Sequence, residues 1–163
     1  MRYYQVTRLT AEKSRAMTDK SLTVGSIMTT QVLSVAPDDT MNKVQAIFQE
    51  HHIHHIPVVD KDKVVGIISY SDYLKLLHGF TIFNTQKSEE YNDAIMRSLL
   101  VREVMVKQVA KLRPEDKIEL AADIFRENLF HAMPVVDNDG KLKGIITTFD
   151  LLNYAFNDLL LLK

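Results

Sequence analysis

Gly66-Ile67-Ile68-Ser69-Tyr70-Ser71-Asp72 recurs in the second half of the chain as Gly144-Ile145-Ile146-Thr147-Thr148-Phe149-Asp150. In each copy a glycine and an apolar pair lead to a hydroxyl residue, and a carboxylate follows three residues later. The match extends upstream. Ile56-Pro57-Val58-Val59-Asp60 precedes the first copy, and Met133-Pro134-Val135-Val136-Asp137 precedes the second. Further back, Met28 to Pro37 lines up with Met105 to Pro114. All 4 prolines therefore fall into two pairs spaced by 77 residues (37 to 114, 57 to 134). The two junctions lie one residue further apart. That residue belongs in the turn Asp137-Asn138-Asp139-Gly140, which is longer than Asp60-Lys61-Asp62. Repetition this regular means one structural unit used twice.

The unit reads β-α-β-β-α, which makes the fold class α+β (α/β mixed). Val32 to Val35 is a short apolar run ended by Pro37, the pattern of a strand. Asp39 or Thr40 is placed to cap a helix carrying Met41, Val44, Gln45, Ile47 and Phe48 on one face. Ile56–Val59 and Val64–Ile68 flank a tight polar turn and read as a hairpin, with Pro57 suited to a strand edge. Ser69 then starts a helix. The second half repeats this order: a strand over Val109–Leu112, a helix lined by Ile118, Ala121, Ala122, Ile124 and Phe125, a hairpin, and a helix from Phe149 to about Leu162. The chain divides into an N-terminal extension (1–21), a first repeat (22–78), a partly helical linker (79–99), a second repeat (100–155) and an apolar helix end (156–163). Ala11 to Met17 suits a short helix, Gly79 to Asn84 an irregular stretch, and Ser88 to Leu99 a helix capped by Ser88.

Composition narrows the function. Of 163 residues, 46% are hydrophobic and 25% charged, as expected for a globular protein. Repeats of this size bury too little surface alone, so the halves are expected to share a core. The formal net charge is -1, which provides no field to attract nucleic acid or an anionic membrane. No apolar run approaches the roughly 20 residues that span a bilayer. With no cysteine, the described chemistry excludes disulfides, thiolate nucleophiles and thiolate metal sites, and suits a reducing cytoplasm. There is no phosphate loop, dinucleotide fingerprint or zinc-protease motif, so an enzyme is not expected.

Two such units, each with an apolar-Pro-Val-Val-Asp strand and a Gly-Ile-Ile-(Ser/Thr)-x-x-Asp junction, resemble a tandem pair of cystathionine β-synthase (CBS) domains, a Bateman module. The resemblance covers roughly residues 22–155 and looks like a stand-alone pair. It implies two repeats packed sheet to sheet about a pseudo-two-fold axis, with two clefts that commonly take adenosine-containing ligands. The family pattern falls on Gly66, Ser69 and Asp72 and again on Gly144, Thr147 and Asp150. The aspartates are then expected to accept ribose hydroxyls, and Ser69 and Thr147 to lie near ribose or phosphate. Ile56-Pro57 and Met133-Pro134 are expected to wall the adenine. The implied ligand is AMP, ADP or ATP, regulatory and not a required cofactor.

The junction chemistry fits this. A helix N-terminus offers free N–H groups and a partial positive charge to a phosphate. A carboxylate beside it takes two hydroxyl donors, and glycine permits close backbone approach. Ser/Thr-x-x-Asp is equally the pattern of a capping box, and capping does not exclude ligand binding. His54 aligns with His131, where the family often has a basic residue. The run His51-His52-x-His54-His55 is expected to be surface or phosphate-facing, not a metal site. Arg113 and Arg126 are expected to be solvated, and Met28 and Met105 to be core or cleft wall. The terminal leucines suggest a homodimer. The leading expectation is a cytoplasmic regulatory protein that signals to an unknown protein partner through changed packing. The alternative is a ligand-free interaction module.

Overall fold

The computed structural model describes residues 22–80, 88–127 and 130–160. The element order is α1 (Val24–Ile27), α2 (Met41–His51), β1 (His55–Asp60), β2 (Lys63–Ser69), α3 (Tyr70–Phe80), α4 (Ser88–Ser98), α5 (Val101–Val104), α6 (Ile118–Arg126), β3 (Ala132–Val136), β4 (Leu142–Thr147) and α7 (Thr148–Leu160). The expected helix over Ala11–Met17, most of the stretch Gly79–Asn84, and Leu161 and Leu162 lie outside the described residues.

Each half is built on an antiparallel hairpin, β1–β2 and β3–β4. The registers correspond: Ile56 faces Ile68 and Val58 faces Gly66, while Met133 faces Ile146 and Val135 faces Gly144. Both carry an irregularity one residue later, between Val58 and Val59 and between Val135 and Val136. Lys61 and Asp62 both have positive φ, 47° and 70°, the backbone that two-residue hairpins require. The second turn reaches the same end by a different route. Gly140 takes φ 82°, and Asp137 Oδ1 accepts the N–H groups of Asp139 (3.0 Å) and Lys141 (2.9 Å). The extra residue of the second repeat sits in this turn.

Two expected strands are reduced to single bridges. Only Val35 pairs with β1 and only Leu112 with β3, both in parallel. Val35 donates to the Pro57 carbonyl (3.2 Å) and accepts from Val59 (2.8 Å). Leu112 does the same with Pro134 (3.1 Å) and Val136 (2.8 Å). Pro37 and Pro114 follow closely and stop either ladder from growing, since proline lacks the N–H a ladder needs. Neither Asp39 nor Thr40 caps α2. Thr40 is the N-cap residue without a side-chain cap bond, and Asp39 turns back to the Ala36 N–H (2.7 Å).

The halves are interlocked by their lead-in segments. α1 belongs to the first half by sequence, but Val24 is buried in the second core among Leu112, Phe125, Met133 and Ile146. α5 leads the second half, yet Val101 is buried in the first core among Met41, Phe48, Ile56 and Ile68. Val24 and Gly25 donate to the carbonyls of Asp116 (2.7 Å) and Pro114 (2.8 Å). Val101 and Arg102 donate to those of Asp39 (2.8 Å) and Pro37 (2.9 Å). Past these helices, Thr29 and Ile145 exchange two backbone bonds of 2.9 Å, and Val106 and Ile67 exchange bonds of 2.9 and 3.1 Å. Neither core is complete without the other half, as the size argument requires. α4 adds Met96 to the first core, and the adjoining Leu99 carbonyl accepts the Met41 N–H at 2.9 Å.

Candidate functional site

Each hairpin ends in a hydroxyl residue that caps the next helix. At the second junction Asp150 Oδ2 accepts both the N–H and the hydroxyl of Thr147, each at 2.7 Å, and Thr147 Oγ1 accepts the Asp150 N–H at 3.2 Å. This is the reciprocal capping arrangement that the spacing predicts. At the first junction Ser69 Oγ donates to Asp72 Oδ2 (2.5 Å) and accepts the Asp72 N–H (3.2 Å). Lys75 Nζ donates to Asp72 Oδ1 at 3.0 Å. Partial burial pushes the Asp72 carboxyl up, but the bonds from Ser69 and Lys75 and the Lys75 charge outweigh it. The net effect holds it below the usual carboxylate value. Asp150 has a different partner: Thr29, from the other half, donates its hydroxyl to Oδ1 at 3.3 Å.

Between the junctions lies a cleft of about 780 Å³. Ser69 and Thr147 both line it, as do His52, His54, His55 and His131. A second cavity of about 510 Å³, walled by Gln31, Val32 and Leu33, shares Thr29, Ile53, His55 and Ile145 with the first. The backbone explains how the histidines arrive here. The first N–H of α3 (Tyr70) donates to the His54 carbonyl (2.8 Å), and the first N–H of α7 (Thr148) donates to the His131 carbonyl (3.2 Å). Each helix start therefore draws one histidine to the mouth of its hairpin. Tyr70 stands edge-on to His54 (ring centroids 5.9 Å apart) and to Phe48 (5.3 Å). Burial depresses the His55 imidazole below its ordinary value; nearby His131 and His54 add to this, and Asp72 opposes it. Among the described residues no group of three or more His, Asp or Glu is arranged to hold a metal.

The structure brings some of the expected residues together and separates others. Ser69, Thr147, His54 and His131 meet at the cleft. Asp72 and Asp150 stand behind the hydroxyl residues, bonded to them. Ile56 and Met133 are 0% exposed in the two cores, and Pro57 and Pro134 are buried beside them, so none of these side chains lines either cavity. Apolar wall comes instead from Ile53, Val32, Leu33 and Ile145. The space in front of each glycine is already taken. A Cβ at Gly66 would lie 2.6 Å from Met105 Sδ, and one at Gly144 would lie 2.6 Å from Met28 Sδ. Close approach is why glycine stands there, and the group that approaches is a methionine from the other half's lead-in. Arg113 and Arg126 line neither cavity, and Arg126 pairs with Asp123 (3.3 Å) on the surface. Thr29 and Ile53 were not singled out for the site by sequence, whereas His52 and His55 belong to the run expected to be surface or phosphate-facing. Thr29 reaches Asp150 across 121 residues, and no local pattern signals such a contact.

Comparison with known proteins agrees with this architecture. The family model described as "CBS domain" matches residues 24–79 and 101–157. The uncharacterised protein MJ1225 of Methanocaldococcus jannaschii is 29% identical over 136 residues, covering 83% of this chain and 48% of that protein. Its crystal structure superposes with a TM-score of 0.72. The CBS domain of a membrane protein from Sphaerobacter thermophilus is 30% identical, with a TM-score of 0.73, covering 91% of this chain and 96% of that one. CBSX2, a CBS-pair protein of Arabidopsis thaliana, was solved in complex with AMP. It is 27% identical with a TM-score of 0.67, covering 84% of this chain and 98% of that one. The chain spans less than half the length of MJ1225.

Proposed function

The chain belongs to the CBS domain family, and from that premise we propose that it is a regulatory protein that binds an adenosine-containing ligand, AMP, ADP or ATP, in the cleft between its repeats. The observation that carries this is the convergence of both helix-capping junctions and four histidines on one cleft of about 780 Å³. The AMP complex of CBSX2 supports the ligand class. In this reading the ribose hydroxyls donate to a junction carboxylate, in part replacing its present hydroxyl partners. The phosphate faces the first turn of a helix and the cleft imidazoles. The base lies against Ile53 and Ile145.

The ligand would signal by changing how the halves pack. Thr29 and Ile145 line the cleft and also form a backbone bridge between the repeats. A ligand seated there acts on that bridge, and it shifts the packing only as far as it prefers one arrangement. No helix among the described residues is long and apolar enough to cross a membrane. Separately, we propose a cytoplasmic location, which a cysteine-free sequence suits. We further propose a homodimer through α6 and α7. They enclose an apolar groove of about 430 Å³ and leave Leu120, Leu152 and Phe156 about half exposed.

Thermal unfolding with AMP, ADP, ATP and S-adenosylmethionine tests the reading. A ligand at 100 times its Kd stabilises by about 2.7 kcal/mol, or several degrees at about 2–4 °C per kcal/mol. The expected result is a shift with an adenine nucleotide that disappears in the Asp72→Ala, Asp150→Ala double variant. No shift with any of them would favour the ligand-free interaction module.

A further inference from the structure

Given the nucleotide reading above, on which this rests, we infer that the chain holds one nucleoside pocket and not two: the pocket on the Thr29–Asp150 side of the cleft. The sequence repeat places equivalent residues on both sides, but the residues that face the cleft differ.

Three differences point the same way. Thr29 offers a hydroxyl to Asp150, whereas its equivalent 77 residues on (29 to 106) is Val106, which makes the same backbone bridge but has no polar group. Ile53 and its equivalent Phe130 (53 to 130) each pack against their own half's core, but Ile53 also lines both cavities and Phe130 lines neither. Asp150 makes no ion pair among the described residues, and its bond from Thr29 is long at 3.3 Å. Both carboxylates have both oxygens engaged, Asp150 by Thr147 and Thr29 and Asp72 by Ser69 at 2.5 Å and Lys75 at 3.0 Å, so the difference is the cationic partner of Asp72. Lys75 is well exposed, and such a pair contributes little by itself. The apolar substitutions at Val106 and Phe130 are the stronger obstacle.

The cavities agree with this assignment. The lobes of about 780 and 510 Å³ join at Thr29, Ile53, His55 and Ile145; Thr29 bonds Asp150 and bridges to Ile145, and neither lobe includes Val106 or Phe130. Nucleoside length fits that continuity: ribose at Asp150 and base in the smaller lobe against Ile53 and Leu33. On the other side the equivalents of Ile53 and Thr29 supply a large ring and a methyl surface. Asp72 then serves α3 as its cap.

Isothermal titration of AMP into the full chain decides the question. One AMP per chain is expected. Asp150→Asn should weaken binding by 10-fold or more and Thr29→Val about fivefold. Asp72→Asn and Val106→Thr should change it less than twofold. The two asparagine variants keep the cap's size, and their unfolding midpoints check that both are folded. Two equivalent AMP per chain, or an Asp72→Asn loss equal to that of Asp150→Asn, overturns the single pocket and leaves the nucleotide reading standing. Absence of binding of AMP, ADP and ATP to the wild type overturns both.

Discussion

The lead-in segments and the cleft walls make a useful pair of regions to compare. In the lead-ins the halves agree position by position. Val24 and Val101 are both 0% exposed, each in the other half's core. Met28 and Met105 each cover the glycine of the opposite hairpin, and each sulfur would lie 2.6 Å from a Cβ added there. At the cleft Ser69 and His54 keep counterparts in Thr147 and His131, but other positions differ: Thr29 against Val106, Ile53 against Phe130, His55 against Ala132. Thr29 and Val106 show why. Their backbones make the same bridge, and Thr29 also lines the cleft, which Val106 does not. Packing density holds a core residue to one shape, whereas a side chain over an open cleft meets no such limit. Symmetry survives where the repeats hold each other and lapses where a ligand would sit.

The comparison is most exposed at the glycines. A Cβ at Gly144 would also lie 2.8 Å from the Thr29 carbonyl, which is held by its bond to Ile145. At Gly66 the corresponding carbonyl of Val106 is 3.1 Å away. A thioether can swing aside and a bonded carbonyl cannot. Gly144→Ala should therefore cost about 3 kcal/mol and Gly66→Ala about 1 kcal/mol, read from urea unfolding. Equal costs would mean that the methionines, not the bridges, set the spacing. Next in size, Val24→Ala and Val101→Ala should each cost about 2 kcal/mol. They should agree closely, and each variant should unfold in a single transition, because each valine completes the other half's core. Two separate transitions would show that the halves fold independently.

The smallest effect concerns His55, whose equivalent is Ala132. Its imidazole is depressed below the ordinary value of 6.5 by burial and by the neighbouring His131 and His54. The fold thus prefers the neutral ring. The associated stability is present above about pH 6.5 and is lost as pH falls through the depressed value. Wild type should be less stable at pH 5.5 than at pH 7.5, by less than about 1 kcal/mol because solvent screens the site. The His55→Gln variant should flatten that slope, and an unchanged slope would assign it to other groups.

Much of the fold is legible because it rests on local chemistry. The hairpins follow from β-branched runs and short turns, and α6 from the apolar spacing of Ile118, Ala121 and Phe125. The caps follow from a hydroxyl three residues before a carboxylate. The misses have local causes too. Val32–Val35 and Val109–Leu112 have strand composition, yet proline leaves each with one bridging residue. Ile56-Pro57 and Met133-Pro134, expected at the adenine, have buried side chains, because adjacent residues point to opposite faces and both faces of these strands are covered.

From sequence alone, then, came the repeat, its β-α-β-β-α unit, the extra residue in the second turn and the two capped junctions. These depend on interactions across a few residues or on direct comparison of the two halves. Only the tertiary structure decided that the lead-ins cross over, that Met28 and Met105 rest on the opposite glycines, and that Thr29 meets Asp150 while Val106 leaves Asp72 to Lys75. Those contacts join residues far apart in the chain. They form because neither half can bury its own core alone, and that shared burial has no signature in any single stretch of sequence.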